Sequence, residues 1–332
     1  KKKVLNLSKM KKILIFKTDR LGDFLNISPV INNLKLNYPA CSITIICSEY
    51  NKSIAEYYRN DIDLIVFNKP LFFFLIKNIN FFFLNKYDLI FQLDGKNHSY
   101  FISILIRAKK KVCIKFLKNK NIFGKLISVN RPNFFVNYFF DDCEISNEDY
   151  NINNNTNYHY LSLYLNLLKK LNIKVLSKNH YLPFDNAKQI STFKEDYYLI
   201  HVDKRWEQFP KSIFISFKDK LLKLSKYKNI VISSNVGGNQ AFNYLNDELF
   251  DNTNIEIINN LNLHDTISLV YFSNTCISCH SGLIVHSAAA FNKKIIDIVS
   301  KDIFNELDRW VPYNVNYKRF DINNFTDVDF SI

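Results

Sequence analysis

The chain has 332 residues, 47% of them hydrophobic, with six cysteines and a formal net charge of +13 at pH 7. That apolar content supplies core for two domains of ordinary size and excludes a disordered chain. The positive balance favours anionic partners, but no zinc-finger spacing and no RNP-like aromatic pattern is present, so nucleic acid is set aside in favour of an anionic membrane or a phosphorylated substrate.

The first residues, Lys1 to Lys17, are basic with only a short apolar patch, too short for a signal sequence or a spanning helix. Met10 is the only methionine, and Met10-Lys11-Lys12 resembles a translation start, so residues 1–9 are expected to be an added or alternative beginning. Strand-like apolar runs follow at Ile13–Phe16, Ile43–Cys47, Leu64–Phe67, Leu89–Leu93 and Val112–Phe116, with helix-like segments between them. This alternation predicts a parallel sheet covered by helices. One helix is expected over Phe24 to Tyr38, with Pro29 in its first turns. No Gly-x-Gly-x-x-Gly follows the first strand, which weighs against a dinucleotide oxidoreductase, and no cofactor is expected.

The stretches Leu71–Ile76 and Phe81–Leu84 are rich in phenylalanine and flanked by lysines. They are too interrupted to cross a membrane. They suit either a helix lying at a membrane surface or one packed on the sheet. Asp141 to Asn157 is acidic and asparagine-rich and reads as a loop, and Tyr158 to Leu171 as a helix. Pro183 to Glu195 is polar and weakly periodic and reads as an interdomain link, dividing the chain into domains over 1–182 and 183–332. A second α/β series begins there, with strands at Tyr198–Val202, Ile230–Ser233, Ile255–Ile258, Thr275–Cys279 and Ile295–Val299. Helices are expected over Ser212–Ser225, Gln240–Leu249, His264–Phe272 and Leu283–Phe291.

The chain has six glycines, and Gly22, Gly95, Gly237, Gly238 and Gly282 fall just after predicted strands. In open α/β sheets, ligands bind at those turns. Ordinary turn punctuation is the alternative. Three motifs share this edge. Lys17-Thr18-Asp19-Arg20-Leu21-Gly22-Asp23 follows the first strand, and Asp23 is placed to act as a general base or, less interestingly, to cap the helix. Asp203-Lys204-Arg205-Trp206 follows the first strand of the second series. Its lysine and arginine can face an anionic group that Trp206 shields, unless they are a solvated basic pair. Cys279-His280-Ser281-Gly282 leads into a small-residue helix carrying His286, and a helix start is a ready phosphate site. Cys276-x-x-Cys279 with two histidines nearby has the look of a metal site. An odd offset on a strand puts the two thiols on opposite faces, so no metal is expected. The cysteines otherwise lie in apolar runs and suit a reducing compartment.

Lys-Thr-x-Arg-x-Gly-Asp, then Ser28-Pro29-Val30 and Tyr38-Pro39, resembles the opening of the glycosyltransferase family 9 heptosyltransferases. Lys86-Tyr87-Asp88-Leu89, Lys204-x-Trp206 and Ser281-Gly282 with the Ala288-Ala289-Ala290 run extend the likeness from about Met10 to Pro312. The resemblance implies a GT-B fold: two Rossmann-like doubly wound domains facing each other across a cleft, with the tail after Trp310 returning towards the first. It implies transfer of a heptose or related sugar, with inversion, from a nucleotide-diphosphate donor such as ADP-heptose to a phosphorylated or lipid-linked saccharide acceptor. The address implied is the cytoplasm, at the inner face of the bacterial inner membrane.

By this likeness Asp23 is the catalytic base. Lys17, Thr18, Arg20 and Gly22 serve the acceptor. Lys204, Arg205, Gly237, Gly238, His280, Ser281, Gly282 and His286 serve the donor. Two departures stand out. In Gln92-Leu93-Asp94-Gly95 the family's acid and amide are exchanged, so Asp94 is given no catalytic role. His280 replaces an acid associated with the donor sugar. The sugar's identity is therefore open, and a non-catalytic nucleotide-binding protein on the same fold is the alternative.

Overall fold

Ile13 to Phe16 are four consecutive apolar residues with every side chain buried, as a central parallel strand requires. In this computed structural model, which describes residues 10–122, 125–131, 136–147, 159–234, 253–304 and 306–322 together with 241, 243 and 245, they form most of β1 (Lys12–Phe16). Around it assemble β2 (Ser42–Ser48), β3 (Asp63–Phe67), β4 (Tyr87–Gln92), β5 (Ala108–Ile122), β6 (Lys125–Arg131) and β7 (Asp142–Asn147) in the order β3-β2-β1-β4-β5-β6. β6 is antiparallel to β5, and β7 pairs parallel with β5. The second sheet contains β8 (Tyr197–His201), β9 (Asn229–Ser233), β10 (Ile255–Ile258), β11 (Ser273–Ser278), β12 (Lys294–Val299) and β13 (Tyr317–Asp321). Its order is β10-β9-β8-β11-β12-β13, parallel throughout.

The chain separates into two compact units, Lys1–Lys178 and Asn179–Ile332, one sheet in each. In both, strand order reverses beside the first strand, between β1 and β4 and between β8 and β11. Crossover loops leave that point in opposite directions and open a crevice at the carboxyl ends of the strands. In the second unit the strands alternate faces into two apolar clusters, one containing Ile200, Ile277 and Ile298 and the other Leu199, Cys276 and Ile295. Cys279 belongs to the first cluster and Cys276 to the second, so the two thiols do lie on opposite faces of the sheet. Burial pushes both thiols up to about 12.

Several expectations are corrected. The single helix over 24–38 is two, Leu21–Leu25 and Ser28–Asn37. Pro29 has no N–H to donate back to Leu25, so the first helix cannot run through it and a second begins. The acidic stretch read as a loop contains β7. Its carboxylates are matched by lysines, Lys110 to Asp142 at 2.8 Å and Lys170 to Glu144, while Asp141 accepts from the Lys111 N–H at 2.7 Å. β13, in the tail after Trp310, extends the second sheet. The phenylalanine-rich segment forms two helices, Leu71–Lys77 and Ile79–Leu84, which pack on the sheet through one face. Phe74 and Phe82 pack into the sheet with Phe67, while Phe72, Phe73, Phe83 and Leu84 are exposed. Among the described residues no helix is long and apolar enough to cross a membrane.

Candidate active site

The loop leaving β1 is built around charges taken out of water. Lys17 is 2% exposed. Its Nζ donates to Asp19 Oδ2 at 2.8 Å, to the Tyr164 hydroxyl at 3.0 Å and to the Leu93 carbonyl at 3.4 Å. Burial opposes that ammonium, but Asp19, Tyr164 and Asp23 outweigh it and hold it above the ordinary lysine range. The Asp19 side chain keeps 19% exposure, yet its Oδ1 is enclosed with no hydrogen-bond partner among the described residues. Burial pushes this carboxyl up to about 7; Asp23 and Asp94 add to the rise and Lys17 opposes it.

Thr18 is held from β4's side of the crevice. Asp94 is fully buried, and its Oδ2 accepts from the Thr18 N–H at 2.7 Å, the Thr18 hydroxyl at 2.7 Å and Ser99 at 2.9 Å. Its Oδ1 accepts from Gln92 at 2.9 Å and from the Lys96 N–H at 3.1 Å. His98 Nε2 lies 3.0 Å from the Thr18 hydroxyl, with its ring stacked 4.1 Å from Phe67. A Cβ at Gly95 would meet the Phe116 ring at 3.0 Å, so a side chain there would have to displace that ring slightly. His98 and Tyr164 join this loop without having been singled out in the sequence, and Asp94, given no catalytic role there, holds Thr18 in place. The signals for Asp94 were its place just after a strand and the exchanged acid and amide of Gln92-Leu93-Asp94-Gly95.

Asp23 sits in the first turn of Leu21–Leu25, two residues inside the helix start, and accepts no capping bond. The capping alternative is therefore excluded. Among the described residues its partly buried carboxylate makes no hydrogen bond, although Lys17 and Asp19 feel its charge. Gly22 lies within the same helix rather than in a left-handed turn. Arg20 precedes it, exposed and without an ion pair among the described residues.

In the second unit the loop leaving β8 is a single 3₁₀ turn, Lys204–Gln208. Asp203 caps it by accepting from the Arg205 N–H at 3.0 Å. Burial pushes the Asp203 carboxyl up, against the pull of Arg205 and a hydrogen bond from Ser281. Lys204 and Arg205 are exposed and make no ion pair among the described residues. Trp206 does not shield an anion. It is 1% exposed, stacks on Phe217 at 5.3 Å and donates Nε1–H to the His201 carbonyl at 3.0 Å, anchoring the turn from below.

Across the crevice, β11 ends at Ser278 and turns through His280 and Ser281 into the helix Gly282–Ala290. The first amides of that helix have no partner within it. His280 adopts φ 50° and bonds Asp297, a fully buried acid of β12. His286 is buried on this helix, its ring 4.9 Å from that of His180. Lys204, Arg205, His280, Ser281 and Gly282 are thus gathered at one crevice, with His286 in the interior behind it. Gly237 and Gly238 lie outside the described residues. Among the described residues no group of three potential metal ligands converges.

The comparisons with solved structures follow this architecture. E. coli heptosyltransferase WaaC with ADP matches with a TM-score of 0.67 at 13% identity, covering 93% of each chain. The glycosyl transferase family 9 structure from Veillonella parvula DSM 2008 matches with a TM-score of 0.68 at 15% identity, over 97% of this chain and 90% of that one. E. coli ADP-heptose lps heptosyltransferase II gives 0.60 at 12% identity, over 94% and 90%. No family model and no curated protein matches the sequence. At such identities the likeness establishes the fold, which is a two-domain Rossmann-like GT-B fold of the heptosyltransferase kind.

Proposed function

We propose that this chain is an inverting glycosyltransferase that moves a heptose or related sugar from a nucleotide-diphosphate donor, ADP-heptose first among them, to an anionic saccharide acceptor carried on lipid. The observation that supports the reading is that the two units carry unlike loops at the carboxyl ends of their first strands. One presents the Asp23 carboxylate without a hydrogen bond among the described residues. The other presents exposed cations, without an ion pair among the described residues, beside a helix start. The acceptor hydroxyl attacks the anomeric carbon and passes its proton to Asp23. The bond from that carbon to the diphosphate breaks, and its electron pair leaves with the nucleotide. Lys204, Arg205 and the amides at Ser281 and Gly282 face the charge that develops there. Thr18, held by Asp94, and Arg20 shape the acceptor side.

The lipid address is supported by the exposed aromatic helices. Phe72, Phe73, Ile76, Phe83 and Leu84 are each more than half exposed, and Lys69, Lys77 and Lys86 stand exposed around them. Aromatic side chains with basic neighbours suit the headgroup region of an anionic bilayer, here the inner face of the inner membrane. His280, which stands where the resembling family carries an acid, favours a second reading: a nucleotide-binding protein without transferase activity.

The test is sugar transfer from ADP-heptose to a lipid-linked saccharide by wild type and Asp23→Ala. The transferase reading expects turnover to fall by about 10²–10⁴-fold with the melting temperature unchanged. Wild-type turnover in the variant would contradict the mechanism. No turnover in wild type, with nucleotide still bound, would favour the non-catalytic reading.

A further inference from the structure

Asp297 is a charge inside an apolar run, Ile295-Ile296-Asp297-Ile298-Val299, and it is fully buried. Such a carboxylate is stable only when hydrogen-bonded and paired. Its Oδ1 accepts from the Ser278 hydroxyl at 2.9 Å and the His280 N–H at 3.2 Å. Its Oδ2 lies 2.8 Å from the Tyr317 hydroxyl and 2.6 Å from His280 Nδ1. Tyr317 oxygen itself receives the Arg319 Nε–H at 3.0 Å, so the tyrosine proton is directed at Asp297. With the other three contacts all donors, Asp297 acts as an acceptor, and the remaining bond is Nδ1–H to carboxylate. His280 is the basic group bonded directly to this acid.

The backbone agrees. At φ 50° His280 occupies a region that a bulky residue enters at some cost, and Asp297 holds both its N–H and its ring there. Trp310 stands 6.5 Å from the imidazole and walls one side. Among the described residues Nε2 has no hydrogen-bond partner.

We infer that Asp297 is a positioning residue for His280, and that the pair presents a protonated imidazole to a phosphate oxygen of the nucleotide bound at this turn. The inference rests on the donor-binding reading of this crevice, and it extends that reading to a residue inside the sheet. Four other titratable side chains face the pair or its immediate neighbours. Tyr317 on β13 is pushed up by burial and by Asp297, and Cys279 on the turn itself is pushed up to about 12 by burial and the two nearby acids. Arg319 remains a cation, and Asp203, from the loop after β8, is pushed up by burial.

The experiment is calorimetric titration of the full chain with ADP, and with adenosine as the phosphate-free control, over about pH 5.5–8.5. Wild type, Asp297→Asn and His280→Asn are compared; asparagine tolerates the left-handed backbone. The terminal phosphate of ADP also titrates in this range, so the readout is each variant's profile relative to wild type. At the acid end wild type should bind ADP about tenfold or more tightly than His280→Asn, as for a hydrogen bond between charged groups. That advantage should vanish at the alkaline end and be absent for adenosine. Asp297→Asn should lose the same pH-dependent part, which a purely structural role would leave in place.

A wild-type profile retained in either folded variant overturns the inference and leaves the donor reading standing. No ADP binding by folded wild type at any pH overturns both. Should a variant fail to fold, nitrogen NMR of the wild-type imidazole decides instead. Nδ1 protonated, with Nε2 moving on addition of ADP, is the expected result, and an Nε2–H tautomer indifferent to ADP contradicts it.

Discussion

The loops after β1 and after β8 leave the same place in two sheets of like strand order, yet they are held by opposite means. The first is tied through its own polar atoms. Lys17 is buried against Asp19 and Tyr164, and Thr18 hangs from Asp94. The second is tied through an apolar anchor, Trp206, and leaves Lys204 and Arg205 in solvent. Topology says where a ligand can sit, but the side chains say what is offered there. The charge that is buried and bonded is fixed in place, whereas the cations left in solvent keep their freedom to move.

The largest effect that sharpens this contrast is expected from Trp206→Ala. Emptying a fully buried aromatic site should cost about 3–5 kcal/mol, seen as loss of stability in urea unfolding. Asp94→Ala should cost somewhat less, about 3 kcal/mol, because the donors of Thr18, Ser99 and Gln92 lose their buried acceptor. If Asp94→Ala were neutral, the polar account of the first loop would be broken.

The two units should also answer pH with opposite signs. His201 is buried and its imidazole is held down to about 4 by burial. The unfolded chain takes up a proton near 6.5 that the folded chain refuses, so this contribution to stability is lost as pH falls from about 6.5 to about 4. Asp19 is the reverse. Its carboxyl is raised from 3.8 to about 7, so the folded chain holds a proton that the unfolded chain releases. This contribution is present at low pH and lost as pH rises from about 4 to about 7. Unfolding measured across that range should therefore lose its acid-side fall in His201→Gln and its neutral-side fall in Asp19→Asn. A slope unchanged by either substitution would contradict the assignment.

The smallest effect concerns the exposed aromatic helices. Phe72→Ser with Phe73→Ser should leave stability within about 0.5 kcal/mol and weaken binding to anionic phospholipid vesicles several-fold. Equal binding by the double variant would detach this face from the membrane.

Much of the architecture was legible because buried parallel strands are nearly continuous apolar runs. Ile13–Phe16, Ile230–Ser233 and Ile295–Val299 stand out for that reason. β7 did not, because its acidic residues look solvated until Lys110 and Lys170 are brought to them from other elements. The same limit applies at the site. Asp23, Lys204 and Ser281-Gly282 follow strands and carry local motifs, which is why they are the residues proposed. Asp94 and Asp297 act through partners 76 and 17 residues away, a relation that no local pattern records. Trp206 was misjudged because its neighbours Lys204 and Arg205 are exposed, and only the packing shows that the next side chain turns inward.

The central claim is a division of labour, with donor held by the second unit and proton transfer carried out by the first. It is tested most directly by thermal stabilisation with ADP-heptose in wild type, Asp23→Ala and Lys204→Ala. A ligand at a hundred times its dissociation constant stabilises the folded chain by about 2.7 kcal/mol. The expected result is an equal shift in wild type and Asp23→Ala and a clearly smaller one in Lys204→Ala. No shift in wild type, or a shift lost in Asp23→Ala and kept in Lys204→Ala, would contradict the account.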